Sequence, residues 1–248
     1  MNDLGISLED SVIVVPTFNE RQNVRPLAAE VFRHYPDAHL LFVDDSSPDG
    51  TGELLDEMSA DDERVHVLHR ADKNGLGRAY IAGFKWALER AYEFVFEMDA
   101  DFSHSPEELG ELRRGVEDAD LALGSRYVGG IRIINWPLNR LILSRSAGVY
   151  TKLVTGMPFT DPTGGFKCFR RRLLKHFDLD RIESNGYGFQ IELTYRAWMD
   201  GFRVTEVPIT FVERRSGESK MSTAIIREAF LLVWRLLIHS RFRRRPRA

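Results

Sequence analysis

Short apolar runs recur through the first half of this chain, each ending in a polar loop and each followed by a stretch of helical periodicity. Residues 11–15, 40–43, 65–68, 94–98 and 121–123 read as buried strands, with helices between them at 24–34, 51–58, 75–91 and 106–116. Pro26 falls in the first turn of its helix, where a missing N–H is tolerated. Strands and helices alternating in this way build βαβ units, and hence an α/β domain with a mostly parallel, Rossmann-like sheet and helices on both faces. No G-x-G-x-x-G follows the first strand and no Walker lysine loop occurs, which disfavours dinucleotide-binding and P-loop architectures.

The strand ends carry the chemistry. The run 94–98 leads straight into Asp99-Ala100-Asp101-Phe102-Ser103. Alternate residues of an extended chain project the same way, so Asp99 and Asp101 point together beyond a strand's carboxyl end, where open α/β sheets bind ligands. Two hard oxygen donors there suit Mg²⁺ or Mn²⁺ held jointly with a substrate phosphate. Taken alone, such a pair reads equally as a solvated acidic turn. Pro16-Thr17-Phe18-Asn19-Glu20 follows the first strand and Asp44-Asp45 the second, so both loops are expected in the same cleft. Glu20 and Asp45 are candidates to accept hydrogen bonds from a ribose hydroxyl or a base N–H. Asp49 reads rather as a cap, with Thr51, on the next helix.

Composition narrows the field without deciding it. With 43% apolar and 29% charged residues in 248, the chain is an ordinary globular sequence long enough for a substantial core. Its net charge of −3 gives no global attraction to nucleic acid, and no basic patch interleaved with aromatics supports that partner. The single Cys168 rules out an internal disulfide and reads as a core residue rather than a nucleophile. The seven histidines show no metal-ligand spacing, so zinc is not expected. Residues 1–10 are acidic and lack the apolar segment of a signal peptide, and no apolar run reaches the roughly 18 residues of a membrane span.

Among the arginines, Arg126 stands out because it follows a buried strand's end. Arg140 is intermediate, while Arg132 and Arg145 read as solvated charges. Gly164-Gly165 would let backbone approach a sugar. Asp161 is equally a sugar contact or a turn cap, and Gln190 and Glu192, in an expected helix 188–199, face either cleft or solvent. The C-terminal segment 223–239 reads as a helix whose polar stripe is narrow: Arg227, Glu228, Arg235 and His239. Five arginines follow in the last eight residues. So broad an apolar surface beside a basic tail fits attachment to an anionic membrane surface or to an integral membrane partner. Packing of the helix on the domain is the alternative.

Read in order, Val-Pro-Thr-Phe-Asn-Glu (15–20), Asp-Asp-Ser-Ser-Pro-Asp-Gly-Thr (44–51), Lys-Asn-Gly-Leu-Gly (73–77), Asp-Ala-Asp-Phe-Ser-His (99–104), Gly-Ser-Arg-Tyr (124–127) and Asp-Pro-Thr-Gly-Gly-Phe-Lys-Cys (161–168) resemble one family. It is that of the polyprenol (dolichol) phosphate mannosyltransferases, inverting enzymes of glycosyltransferase family 2 with the GT-A fold. The likeness covers about residues 11–221, and the stretches 135–144 and 214–220 narrow it to the polyprenol-phosphate branch.

The resemblance implies one GT-A-like domain over 1–221, its nucleotide half about 11–126 and its acceptor half about 127–221, followed by the helix and tail 222–248. It implies that Pro16, Phe18, Glu20, Val43 and Asp45 line the nucleotide pocket. Asp99, Ala100 and Asp101 would meet the diphosphate, with Asp99, Asp101 and Ser103 holding the metal. Arg126, Arg214 and Lys220 would meet the sugar diphosphate or the acceptor phosphate, and Arg140 and Ser144 the lipid phosphate. The implied reaction moves mannose from GDP-mannose to a polyprenyl monophosphate, peripherally, on the cytoplasmic side of a membrane. A phosphate nucleophile is already anionic and needs no strong base, which agrees with the cluster of arginines between 126 and 145. Another sugar nucleotide such as UDP-glucose, and a non-catalytic nucleotide-binding subunit of a membrane complex, are the alternatives.

Overall fold

The computed structural model describes residues 5–72, 74–182, 184, 186–213 and 223–239. The chain opens with β1 (Ser11–Thr17), α1 (Arg21–His34), β2 (His39–Asp44), α2 (Thr51–Asp61), β3 (Val65–His69) and α3 (Leu76–Leu88). Next come β4 (Phe94–Glu97), α4 (Leu109–Gly115), β5 (Leu121–Ser125), β6 (Ile133–Ile134) and α5 (Leu138–Thr155). It continues through β7 (Lys167–Arg170), α6 (Arg171–His176), α7 (Gly186–Met199), β8 (Val204–Pro208), β9 (Phe211–Val212) and α8 (Thr223–His239).

Seven strands form one sheet in the order β3-β2-β1-β4-β7-β5-β8, and β6 pairs with β9 beside it. All neighbours in the large sheet run parallel except β7, which is antiparallel to both β4 and β5. The mostly parallel α/β domain read from the alternation is thus present, with β7 inserted as an unforeseen antiparallel strand.

Strand periodicity sorts the core into two layers. Ile13, Val15, Leu40, Phe42, Phe94 and Phe96 face α1, α2 and α4, whereas Val12, Val14, Leu41, Val43, Val95 and Phe169 face α3, α6 and α7. Phe42, Phe84, Phe96, Phe166 and Phe169 are wholly buried; each such side chain stabilises by about 1.5–3 kcal/mol relative to exposure. A third cluster joins Met157, Phe159, Ile191 and Tyr195 to Val233 and Leu236 of α8. One face of α8 is therefore packed on the domain, while Phe230, Trp234 and Ile238 remain about half exposed.

A local feature of the first strand differs from expectation for an identifiable reason. Pro16 does not end β1, which continues to Thr17. The Val14 carbonyl points toward β4, where it accepts the Met98 N–H, so Pro16, two residues on, presents its missing N–H to the same side. Pairing with β4 runs only to Val14, so nothing is lost there. Gly83 is required for another reason: a Cβ there would come within 2.4 Å of Val14 Cγ1, so α3 lies tight against β1.

Candidate active site

β1 sits between β2 and β4, the point at which successive crossovers turn to opposite sides, and the carboxyl ends of these strands open into one crevice. The loops after β1 and β2 are knitted together across it. Asn19, at φ 61°, donates its N–H to Ser47 Oγ at 3.0 Å, and the Glu20 N–H reaches Thr51 Oγ1 at 3.0 Å. Asp49 accepts from the first N–H of α1 (Arg21, 3.3 Å) and the first N–H of α2 (Thr51, 3.0 Å). It is a shared cap; burial alone would raise its pKa, but these hydrogen bonds outweigh that and hold it below the ordinary value.

The two adjacent aspartates divide their duties. Asp44 turns inward, accepting from Thr17 Oγ1 (3.0 Å) and from Ser47 Oγ (2.6 Å) and N (3.1 Å). Asp45 pairs with Arg70 at 2.5 Å, both side chains largely buried. Arg70 lies just past β3, and the local sequence gave no signal of this contact. Val43 is wholly buried in the core layer facing α3, and Pro16, Phe18 and Glu20, in and just after β1, are partly exposed. Glu20 accepts from Asn23 Nδ2 at 2.7 Å.

The turn after β4 is held at every step. Asp99 donates its backbone N–H to His104 Nδ1 (3.2 Å) and receives the Tyr80 hydroxyl on Oδ1 (3.3 Å). Asp101 Oδ1 accepts the Ser103 N–H at 3.0 Å, with Phe102 in the left-handed region at φ 62°. Ala100, Asp101, Ser103 and His104 are buried, and Asp99 is partly exposed. His104 stacks on Phe166 with centroids 4.8 Å apart. Burial pushes its pKa down to about 4, so the ring is neutral, and Nδ1 is the acceptor.

Among the described residues no three His, Cys, Asp or Glu side chains form a metal cage. The donors at this turn are the carboxylates of Asp99 and Asp101, with the Ser103 hydroxyl beside them. So small an oxygen set fits Mg²⁺ or Mn²⁺, which take one or two carboxylates and complete their shell with water and substrate phosphates.

Across the crevice Arg126 is buried and forked onto Asp161, with Nε–Oδ2 at 2.7 Å and Nη2–Oδ1 at 2.6 Å; Nη2 also reaches Thr163 Oγ1 at 2.8 Å. Burial pulls the Asp161 pKa upward, but Arg126 dominates and holds it low. Asp161 thus holds Arg126 and also accepts from Thr163 Oγ1 of its own turn at 3.1 Å. Glu206 fixes the same turn by accepting the N–H groups of Thr160 and Asp161. Trp136 and Phe211 place their rings 5.5 and 5.6 Å from the Arg126 guanidinium. Arg140 lies over Trp136 and pairs with Glu213 at 2.5 Å, leaving its buried Nε without a partner among the described residues. Ser144 receives the Tyr127 hydroxyl at 2.8 Å. Arg132 and Arg145 are exposed, as expected. Arg214 and Lys220 lie outside the described residues.

Beneath the β4 turn, Lys167 of β7 is wholly buried opposite Glu97. Its Nζ donates to the Gln190 carbonyl at 2.9 Å and to Gln190 Oε1. Burial lowers the Lys167 pKa to about 8 and raises that of Glu97 to about 7. Gln190 and Glu192 are both buried, Glu192 holding Ser184 and Arg196. Cys168 is a core residue whose thiol burial pushes well up. At Gly164 the close backbone approach is to the Gly124 carbonyl, 2.6 Å from where a Cβ would stand.

Residues 12–177 match the family model described as Glycosyl transferase family 2. The chain is 51% identical over 225 residues to polyprenol monophosphomannose synthase of Mycolicibacterium smegmatis, covering 90% of this chain and 85% of that protein. It is 48% identical over 222 residues to undecaprenyl-phosphate mannosyltransferase of Micrococcus luteus, covering 90% and 91%. Among solved structures it resembles glucosyl-3-phosphoglycerate synthase of Mycobacterium tuberculosis in complex with phosphoglyceric acid. There the TM-score is 0.68 at 17% identity, covering 94% of this chain and 80% of that one. The complex of that enzyme with Mn²⁺, UDP and phosphoglyceric acid gives a TM-score of 0.66 at 16% identity, covering 95% and 79%. At such identities the likeness is one of fold, and the fold is GT-A-like.

Proposed function

The chain belongs to glycosyl transferase family 2, and from that membership we propose that it moves mannose from GDP-mannose to a polyprenyl monophosphate. The product would be a polyprenyl phosphate β-mannose. What supports this most is the pair of relatives about half identical over nine-tenths of the chain, both named for mannose transfer to a polyprenyl phosphate. The crevice at the β1–β4 switch point is consistent with it. In this reading Pro16, Phe18, Glu20, Val43 and Asp45 would receive the nucleoside, and Ala100 and the two flanking aspartates the diphosphate.

Asp99, Asp101 and Ser103 would hold Mg²⁺ or Mn²⁺, which when bound neutralises charge on the leaving diphosphate. The acceptor's phosphate oxygen bonds to mannose C1 as the C1–O bond to GDP breaks, and the bonding pair leaves on the diphosphate. In-line attack inverts the anomeric centre. The protein supplies orientation and preorganised cations rather than a base. Arg126 is fixed by Asp161 before substrate arrives, and Arg140 and Ser144 stand on α5 where the lipid phosphate would meet them. Arg214 and Lys220 belong to the same proposal.

A lipid acceptor requires contact with a membrane, and the surface beside the crevice suits one. Leu138, Ile142 and Leu153 of α5 and Phe230, Trp234 and Ile238 of α8 are exposed. The two helices are joined where Tyr150 stacks on Phe230 at 4.6 Å. No described helix is long and apolar enough to cross a bilayer. Peripheral attachment on the cytoplasmic side, or docking on an integral membrane partner, is the corresponding proposal.

The test is incubation of the purified protein with radiolabelled GDP-mannose, Mg²⁺ and a polyprenyl phosphate. Label is expected in a mild-acid-labile lipid, falling about 100-fold or more in Asp101→Ala. Transfer from UDP-glucose instead would overturn the donor, and turnover intact in Asp101→Ala would overturn the metal assignment. Nucleotide binding without transfer from either donor would point to a non-catalytic subunit.

A further inference from the structure

Tyr80 is wholly buried in α3, yet its hydroxyl contacts a site carboxylate: Oη lies 3.3 Å from Asp99 Oδ1. A buried phenol requires a hydrogen-bond partner, and Asp99 comes from a different element. The separation is long for a hydroxyl donor, as catalytic hydrogen bonds often are before ligand binds.

The hydroxyl is placed by packing that owes nothing to the loop it meets. The Tyr80 ring lies parallel to Phe189 of α7, 3° between planes and 6.0 Å between centroids, and also stacks on Phe84. Gly83, one turn further along α3, seats that helix directly on Val14. Asp101, by contrast, is held by the Ser103 N–H of its own turn. Asp99 is therefore braced from outside the turn, through its side chain by Tyr80, while His104 holds its backbone.

We propose that Tyr80 is a positioning residue: its hydroxyl fixes the Asp99 carboxylate in the orientation that receives the divalent cation and the donor's diphosphate. The assignment rests on Asp99 serving the metal as proposed above.

Tyr80→Phe removes the hydroxyl and keeps the ring stack. Mn²⁺ binding is read by electron paramagnetic resonance with GDP present, beside the Mn²⁺ concentration giving half-maximal mannosyl transfer. Both are expected to weaken about 10-fold, with kcat at saturating Mn²⁺ near wild type and an unchanged melting temperature. In an Asp99→Asn background the same change is expected to add nothing to the loss in Mn²⁺ binding. Equal Mn²⁺ affinity in wild type and Tyr80→Phe overturns the role of Tyr80, as does full additivity with Asp99→Asn. Absence of Mn²⁺·GDP binding by the wild-type protein overturns the metal assignment itself.

Discussion

Glu97 and Lys167 stand directly opposite each other in the β4–β7 ladder, and neither side chain reaches solvent. Burial disfavours the Glu97 carboxylate most; the Lys167 ammonium is the largest influence opposing it and the Gln190 side chain the next, so Lys167 is the main compensation for this buried charge. Removing one partner of such a pair costs more than the pair contributes, because the other charge is left stranded. Lys167→Met is accordingly expected to lose about 3–5 kcal/mol of unfolding free energy. The double variant Glu97→Gln, Lys167→Met is expected to recover most of that, both read by urea denaturation. A double variant no more stable than Lys167→Met would show that packing, not stranded charge, sets the cost. This pairing was illegible in the sequence, where Lys167 is one letter inside an apolar run. Asp99 and Asp101 were legible because spacing along an extended chain fixes their common direction. Asp161, by contrast, was ambiguous until the fold brought Arg126 against it.

At the scale of elements, legibility followed the direction in which apolar residues point. Strands β1 to β5 and the helices α1 to α4 were readable because their apolar faces meet the core with regular periods. α5 gave no such signal. Its buried face is made of Gly148, Thr151 and Thr155, while Leu138, Ile142, Val149 and Leu153 look outward. Gly148 brings the helix close to the Thr160 carbonyl, 3.1 Å from where a Cβ would stand. Thr151 and Thr155 return their hydroxyls to the helix's own carbonyls. The period is intact but inverted, as a helix facing lipid or a partner requires. For α8, the packing alternative read from the sequence holds in part: Val233, Leu236 and Leu237 pack on the domain, while Phe230, Leu231, Trp234 and Ile238 are exposed. If the bare surface meets a bilayer, Ile142→Glu with Leu153→Glu is expected to weaken binding to vesicles of mixed zwitterionic and anionic phospholipid. Loss of two inserted aliphatic side chains implies at least about 10-fold, measured by co-sedimentation. The melting temperature is expected to stay put, since neither residue is packed. Unchanged sedimentation would direct the search to a protein partner instead.

At the scale of the whole molecule, alternating strands and helices announced β1 to β5 but neither β7, which enters antiparallel between β4 and β5 from a distant part of the chain, nor β8 at the edge. Pairing between strands so far apart leaves no local trace, and neither do the contacts that tie the two halves together. Glu108 is one of these. It ends the 3-10 turn ahead of α4, and its Oε1 accepts the Thr210 N–H at 2.7 Å from the segment joining β8 to β9, while Oε2 is buried without a partner among the described residues. Burial is the largest influence on this carboxyl and raises its pKa from 4.5 to about 7, against the opposing pull of Thr210. The folded state therefore holds the proton more tightly than the unfolded chain does. The resulting stabilisation is full below about pH 4.5 and is lost as pH rises through about 7. Glu108→Gln keeps a carbonyl oxygen for the Thr210 N–H and removes the charge. Relative to wild type it is expected to gain about 1–2 kcal/mol at pH 8 and less as pH falls, measured by urea denaturation across that range. A difference between the two proteins that did not change with pH would mean that Glu108 titrates in the folded molecule as it does in water, and that the junction between the halves is open to solvent at this point.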